Sequence, residues 1–146
     1  MSLTLEKACV IVDAALAKGR EMSLGPLTVA VLDAGGHLVA LKREDGSSIL
    51  RPQIAQGKAY AALGMGWGSR ALAERAAVAP HFVNALAAAS DGRVVPVPGG
   101  VLILSAGKVV GAVGITGDTS DNDEACGIAG IAAAGFSAQT GLTPEG

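Results

Sequence analysis

The sequence is poor in aromatic residues, in cysteine and in clustered charge. Trp, Tyr and Phe together make up 3% of its 146 residues, so small aliphatic side chains and close backbone packing must build the core. The two cysteines, Cys9 and Cys126, lie far apart and form no Cys-x-x-Cys pair. That spacing argues against structural zinc and c-type haem attachment, and it favours two buried free thiols.

Basic patches and long apolar runs are also missing. The 11 Lys and Arg residues are scattered and the net charge is −2, which argues against binding to nucleic acid or to an anionic membrane. Although 50% of the residues are hydrophobic, no run reaches the roughly 20 apolar residues of a membrane span. The sequence begins with an amphipathic pattern and not with a signal peptide, so we expect a cytoplasmic protein. Its high apolar content favours self-association into a dimer or a higher homo-oligomer.

The first half of the sequence predicts helices around one β-hairpin. Apolar residues at helical spacing begin at Leu5, with Thr4 as the N-cap. Strands at 27–33 and 37–43 are separated by Ala34-Gly35-Gly36, which is typical of a hairpin turn. Further helices are predicted from Pro52 through Leu63, from a Ser69 cap to Ala77, and from Pro80 to Ala89. The glycines of the 64–68 stretch follow a helix and lack the Lys-Ser/Thr of a phosphate loop, which argues against a nucleotide-binding site there.

The second half predicts more strands and one last helix. Strands are expected at 94–97, at 101–104 and at 109–116, and a helix capped by Ser120 follows. Because the strands come in hairpins separated by helices, the pattern predicts an α+β fold. We expect an antiparallel sheet of about five strands with helices packed on it. Residues 4–143 are expected to form a single domain.

A glycine-rich strand leads into the acidic start of the last helix. Gly111, Gly114 and Gly117 leave backbone bare, which indicates either a ligand surface or tight packing inside the protein or between subunits. The acids that follow have two interpretations: ordinary helix capping, or a general base at Glu124 if burial raises its pKa. Asp118, Asp121 and Asp123 lack the spacing of a calcium loop.

Four segments together resemble one known family. Val31-Leu-Asp-Ala-Gly-Gly-His37, the helix Ile54-Ala-x-x-Lys-Ala59, Gly92-Arg-Val-Val-Pro-Val-Pro-Gly-Gly100 and Val110-Gly-Ala-Val-Gly-Ile-Thr-Gly-x(5)-Asp-Glu124 are similar to the GlcG/HbpS-like family, which includes the C-terminal domain of PduO-type proteins. The resemblance covers nearly the whole chain. It implies a profilin-like α+β fold and assembly into dimers or larger oligomers. Some members bind or degrade haem, so it also implies haem as a cofactor.

His37 is the first candidate for chemistry, because it leaves a glycine turn where residues on a rigid scaffold are exposed. Its imidazole can ligate haem iron or act as a base, and an ordinary exposed polar residue is the alternative. His81 ranks lower, since a position in the first turn of a helix is readily solvated. Lys58 can meet a propionate or a substrate carboxylate, or it can extend from an apolar helix face to solvent. Pro98, Gly99, Gly100, Gly114 and Gly117 complete the predicted ligand-binding residues.

Three hypotheses for function follow. The first is a small-ligand-binding protein, with haem or a related tetrapyrrole as ligand and His37 as ligand to the iron. The second is a cofactor-independent acid–base or lyase-type enzyme acting on a small carboxylate in a catabolic pathway, with His37, Lys58 and Glu124 as catalytic residues. The third is a non-catalytic oligomeric scaffold.

Overall fold

The computed structural model describes residues 1–143. Within them it has five helices and five strands, in the order α1 (Leu5–Glu21), β1 (Thr28–Asp33), β2 (Leu38–Arg43), α2 (Arg51–Met65), α3 (Ser69–Val78), α4 (Pro80–Ala89), β3 (Gly100–Ser105), β4 (Lys108–Thr116), α5 (Ser120–Ala133) and β5 (Ser137–Gln139). The strands form a single sheet in the order β2-β1-β4-β3-β5, and each neighbouring pair is antiparallel. The α+β prediction and the first hairpin are confirmed.

Helices α1 and α5 cover one face of the sheet. Alternate residues of β1 and β4 point to this face, and they pack against Ile11 of α1 and Ile131 of α5 in the main hydrophobic core. The strand residues are branched aliphatics: Val29, Val31, Val113 and Ile115. This strict alternation is the pattern of strands with two differently covered faces.

Helix α2 covers the other face, and it lies very close to the strands. Gly100 of β3 and Gly114 of β4 are paired across the sheet. A β-carbon on Gly114 would overlap the carbonyl oxygen of Ala55, and one on Gly100 would overlap that of Lys58. The two glycines therefore allow the backbone of α2 to lie directly on the sheet. Helix α2 contributes mainly alanines to this interface.

Three local predictions are wrong. Residues 94–97 form no strand, because Pro96 and Pro98 cannot donate ladder hydrogen bonds. Helix α5 is capped by Thr119, whose Oγ1 accepts from the Asn122 amide at 3.2 Å, and not by Ser120. Ser69 lies inside α3, and its hydroxyl bonds the 97–100 segment instead. The Thr4 cap of α1 is confirmed, with Thr4 Oγ1 accepting from the Lys7 amide at 3.2 Å.

The glycine-rich link between α2 and α3 packs against the segment that follows β5. The Gly68 amide donates to the Gly141 carbonyl at 2.9 Å, and the side-chain amide of Gln139 donates to the Gly66 carbonyl at 3.3 Å. A β-carbon on Gly68 would overlap the backbone of Thr140. These glycines therefore serve chain–chain packing. None of the helices in residues 1–143 is long and apolar enough to cross a membrane.

Candidate functional site

The tip of the β1–β2 hairpin is held by a carboxylate inside the turn. Asp33 Oδ1 accepts hydrogen bonds from the Gly35 and His37 amides, each at 3.0 Å. The Asp33 amide donates to the His37 carbonyl at 2.9 Å, and Gly36 takes the positive φ of 84° that the turn requires. The hydrogen bond from the His37 amide is the main cause that lowers the pKa of Asp33. Asp33 is therefore ionised at neutral pH, and its carboxylate and backbone close the turn through these hydrogen bonds.

His37 projects from this turn into solvent. Its side chain is 82% exposed, and its Nδ1 lies 3.3 Å from Asp33 Oδ1. Within residues 1–143, Nε2 has no hydrogen-bond partner. A carboxylate behind one ring nitrogen fixes the orientation of the ring and makes the other nitrogen a better metal ligand. The tip thus presents a free and oriented Nε2 to solvent.

Lys58 is buried, and it does not reach solvent. Its Nζ donates to the Ile115 carbonyl at 2.8 Å and to Asp123 Oδ2 at 3.0 Å. The side chains of Lys58 and Asp123 are 3% and 1% exposed. Burial lowers the pKa of Lys58 and raises the pKa of Asp123, while the attraction between the two charges opposes both shifts. The pair ties α2 to β4 and to the start of α5.

Glu124 is held by Arg70 of α3. Arg70 Nε donates to both carboxylate oxygens of Glu124, at 3.0 and 3.1 Å, and its Nη2 also contacts Asp121. The hydrogen bond to Asp121 is the main cause that raises the pKa of Arg70. The Nε proton is thus shared between the two oxygens, and the guanidinium connects α3 to two acids in the first turn of α5.

Within a single chain, His37 lies far from Lys58, whose partner Asp123 directly precedes Glu124. Lys58 Nζ is bonded to Ile115, which lies opposite Val29 in the sheet. Asp33 lies four residues, or about 13 Å, further along the same strand. His37 lies beyond Asp33, on the other side of the hairpin turn. Each of the three side chains also has its own charged neighbour.

The predicted glycine surface packs against other parts of the chain. A β-carbon on Gly99 would lie 2.8 Å from the Ile115 carbonyl oxygen and 2.9 Å from Lys58 Nζ. One on Gly117 would overlap the Pro26 carbonyl, and Gly100 and Gly114 are covered by α2 as described above. Pro98 is half-buried beside them. Between α2 and strands β3 and β4, the backbone of the strands is therefore covered by the backbone of the helix.

Sequence reasoning missed the role of Asp33. The signal was present, because an Asp before a Gly-Gly turn commonly bonds the backbone two residues ahead. It also missed Arg70, for which no local pattern pointed to acids some fifty positions later.

Comparisons with known proteins agree with this fold. Residues 3–132 match the family model described as haem degrading protein HbpS-like. A 15.0 kDa protein of Citrobacter freundii, encoded between dhaT and dhaS, is 31% identical over 123 residues, which is 84% of each chain.

Solved structures of other proteins have the same fold. The crystal structure of a PduOC:heme complex superposes with a TM-score of 0.83 at 23% identity, covering 93% of this chain and 97% of that one. A Streptomyces reticuli HbpS double mutant superposes at 0.78 with 28% identity, covering 90% of this chain and 86% of that one. The PduOC likeness concerns the fold alone. Because the family model extends over nearly all the described residues, the chain belongs to the HbpS-like family.

Proposed function

We propose that this protein binds haem, or a closely related tetrapyrrole, through His37. The observation that carries the proposal is the hairpin tip, where an exposed imidazole is oriented by Asp33 and keeps Nε2 free. Membership of the HbpS-like family, whose model is described as a haem degrading protein, supports haem as the ligand.

The residues of the tip fit such a group. Neutral imidazole is a common axial ligand of haem iron, and a carboxylate on Nδ1 is the usual partner of a metal-binding His. The next residue, Leu38, has an exposed apolar side chain that can contact a porphyrin edge. When bound, haem would supply an iron centre for ligand binding or redox chemistry. Asp33 Oδ1, 3.3 Å from Nδ1, would face the iron-distal side of the ring, and Nε2 would face the iron.

Titration of the purified protein with haemin tests the proposal. We expect a Soret shift that saturates in the wild type and is lost in His37→Ala. His81→Ala is the matched control, because His81 is the only other imidazole, and it should keep the wild-type spectrum. Asp33→Asn should keep binding but weaken it by roughly 10- to 100-fold, which is the usual effect of losing the partner of a metal ligand.

Two results would contradict the assignment. The absence of any Soret shift would remove haem as the ligand. A shift of unchanged size and affinity in His37→Ala would remove His37 as the residue that binds iron.

We also propose that copies of the chain associate. Helix α4 packs mainly on α3, and Val78 and Phe82 in this pair of helices expose apolar surface. Exposed apolar area of this kind favours association. Sedimentation velocity should show a dimer or larger species that Phe82→Asp shifts towards the monomer, while Val109→Asp on β4 does not. A monomer at all concentrations would contradict this proposal.

A further inference from the structure

A cavity of about 400 Å³ lies between α2 and the segment that follows α4. Its walls include the aliphatic side chains of Leu50, Ile54 and Val95, and its polar groups include Gln53, Tyr60 and Arg93. A volume of this size is typical of sites for small organic molecules. Neither the buried Lys58 pair nor His37 lines it.

The wall opposite α2 is fixed in place. The Val95 amide donates to the Gly57 carbonyl at 3.1 Å. A β-carbon on Gly57 would overlap the Val95 side chain and would lie 2.7 Å from the Arg93 carbonyl oxygen. The 93–95 segment thus lies directly against the helix, and the cavity next to it is preformed. Preformed sites avoid the free-energy cost of ordering a loop when a ligand binds.

Arg93 brings a guanidinium cation to this cavity. Its guanidinium carbon lies 3.7 Å from the centre of the Tyr60 ring. Among residues 1–143 no carboxylate lies within ion-pair distance of it, and no hydrogen bond from the guanidinium is formed. Stacking on an aromatic face holds the guanidinium in one plane while its N–H donors stay free.

We propose that this cavity binds a small amphipathic carboxylate, with the carboxylate on Arg93 and an aliphatic or aromatic body against Leu50, Ile54 and Val95. A planar guanidinium is well suited to a bidentate carboxylate. The aliphatic walls favour a body of low polarity. This site goes beyond the proposed haem function, since it uses none of the residues of the hairpin tip.

Titration of the haem-free protein with phenylacetate, followed by amide NMR, tests the proposal. We expect saturable shifts at the Gly57, Gly92 and Val95 amides. Phenylacetamide has the same body without the charge, and acetate has the charge without the body. Each should bind at least about tenfold more weakly than phenylacetate, since charge-assisted hydrogen bonds and apolar burial each contribute that much.

Protein variants separate this site from general charge attraction and from haem binding. Arg93→Gln should weaken phenylacetate binding about tenfold or more, while Arg43→Gln, which removes another exposed arginine, should leave it within twofold. His37→Ala should abolish the haemin Soret shift and leave phenylacetate binding unchanged. The inference is overturned if phenylacetate shifts no amide around the cavity, or if Arg93→Gln and Arg43→Gln behave alike.

Discussion

At the scale of single residues, the buried pair of Lys58 and Asp123 joins α2 to β4 and to the start of α5. Two charges taken out of water are tolerated only when each is paired and hydrogen-bonded. Lys58 meets both conditions through Asp123 and the Ile115 carbonyl. Asp123 meets them through Lys58 and through the Asp118 amide, which donates to its Oδ1 at 3.0 Å.

Removing one member of this pair should be costly. We expect Lys58→Met to lower the free energy of unfolding by about 3–5 kcal/mol, because it leaves Asp123 buried without a counter-charge. The double variant Lys58→Met/Asp123→Asn should be more stable than Lys58→Met alone, since Asn keeps the acceptor for the Asp118 amide without a charge. Urea denaturation measures both. Lys108→Met, at an exposed position, is the control, and an equal loss there would contradict the argument.

We expect the folding stability of the protein to depend on pH in the acid range because of Asp118. Its carboxylate accepts from Asn122 Nδ2 at 2.8 Å, from the Thr119 amide at 2.9 Å and from the Gly25 amide at 3.1 Å. These bonds, that of Asn122 first, lower its pKa below the ordinary value of 3.8. A lowered folded-state pKa means that the stabilisation is present above pH 3.8 and is lost as pH falls through the folded pKa.

We therefore expect Asp118→Asn to be less stable than the wild type at pH 7 and to differ from it less and less as the pH falls below about 4. Thermal unfolding between pH 2 and pH 7 checks this. Asp45→Asn, another exposed carboxylate, is the control. A difference between Asp118→Asn and the wild type that stays constant with pH would contradict the assignment.

At the scale of elements, the position of α2 depends on the paired glycines of β3 and β4. Gly114→Ala should lower stability by about 1–3 kcal/mol or more, because the added methyl group overlaps the Ala55 carbonyl and must push the helix away from the sheet. Gly64→Ala, on the same helix with open space around it, should be neutral or stabilising by about 0.5–1 kcal/mol. Chemical denaturation of the two variants compares them. Equal changes in stability for the two variants would show that the position of α2 does not depend on the glycines of the sheet.

Most elements could be predicted because their signals are local. Alternating branched residues gave the strands of both hairpins, and Pro80 gave the start of α4. β5 was missed because it has three residues, which is too few for a periodic pattern. The glycines of β4 allowed two interpretations, since bare backbone admits a ligand and a helix equally well. Which one applies depends on α2, about sixty positions away in the sequence.

The same limit applies to the candidate site. The exposure of His37 followed from a turn signal within five residues. The burial of Lys58 did not, because the position of Asp123 against it depends on how α5 returns over the end of the sheet. The Arg93–Tyr60 contact likewise joins a helix to a loop that local patterns cannot place.

At the scale of the whole molecule, the accessibility of Cys126 can be used to test whether α1 and α5 stay packed on the sheet. Its thiol lies in the main core and is not disulfide-bonded. Burial raises its pKa to about 11, so the reactive thiolate is scarce as well as inaccessible.

In a Cys9→Ser background, we therefore expect thiol labelling of Cys126 to proceed only as fast as the protein unfolds. Labelling rates compared with unfolding rates extrapolated from urea check this. Labelling much faster than unfolding would show that α1 and α5 separate locally while the rest of the molecule stays folded.

The contact between residues 66–68 and residues 139–141 also sets an order of events during synthesis. The link after α2 leaves the ribosome long before Gln139 has been added, so its final hydrogen bonds are missing for the whole of that interval. The contacts between this turn and residues 139–141 can therefore form only after those later residues have been synthesised.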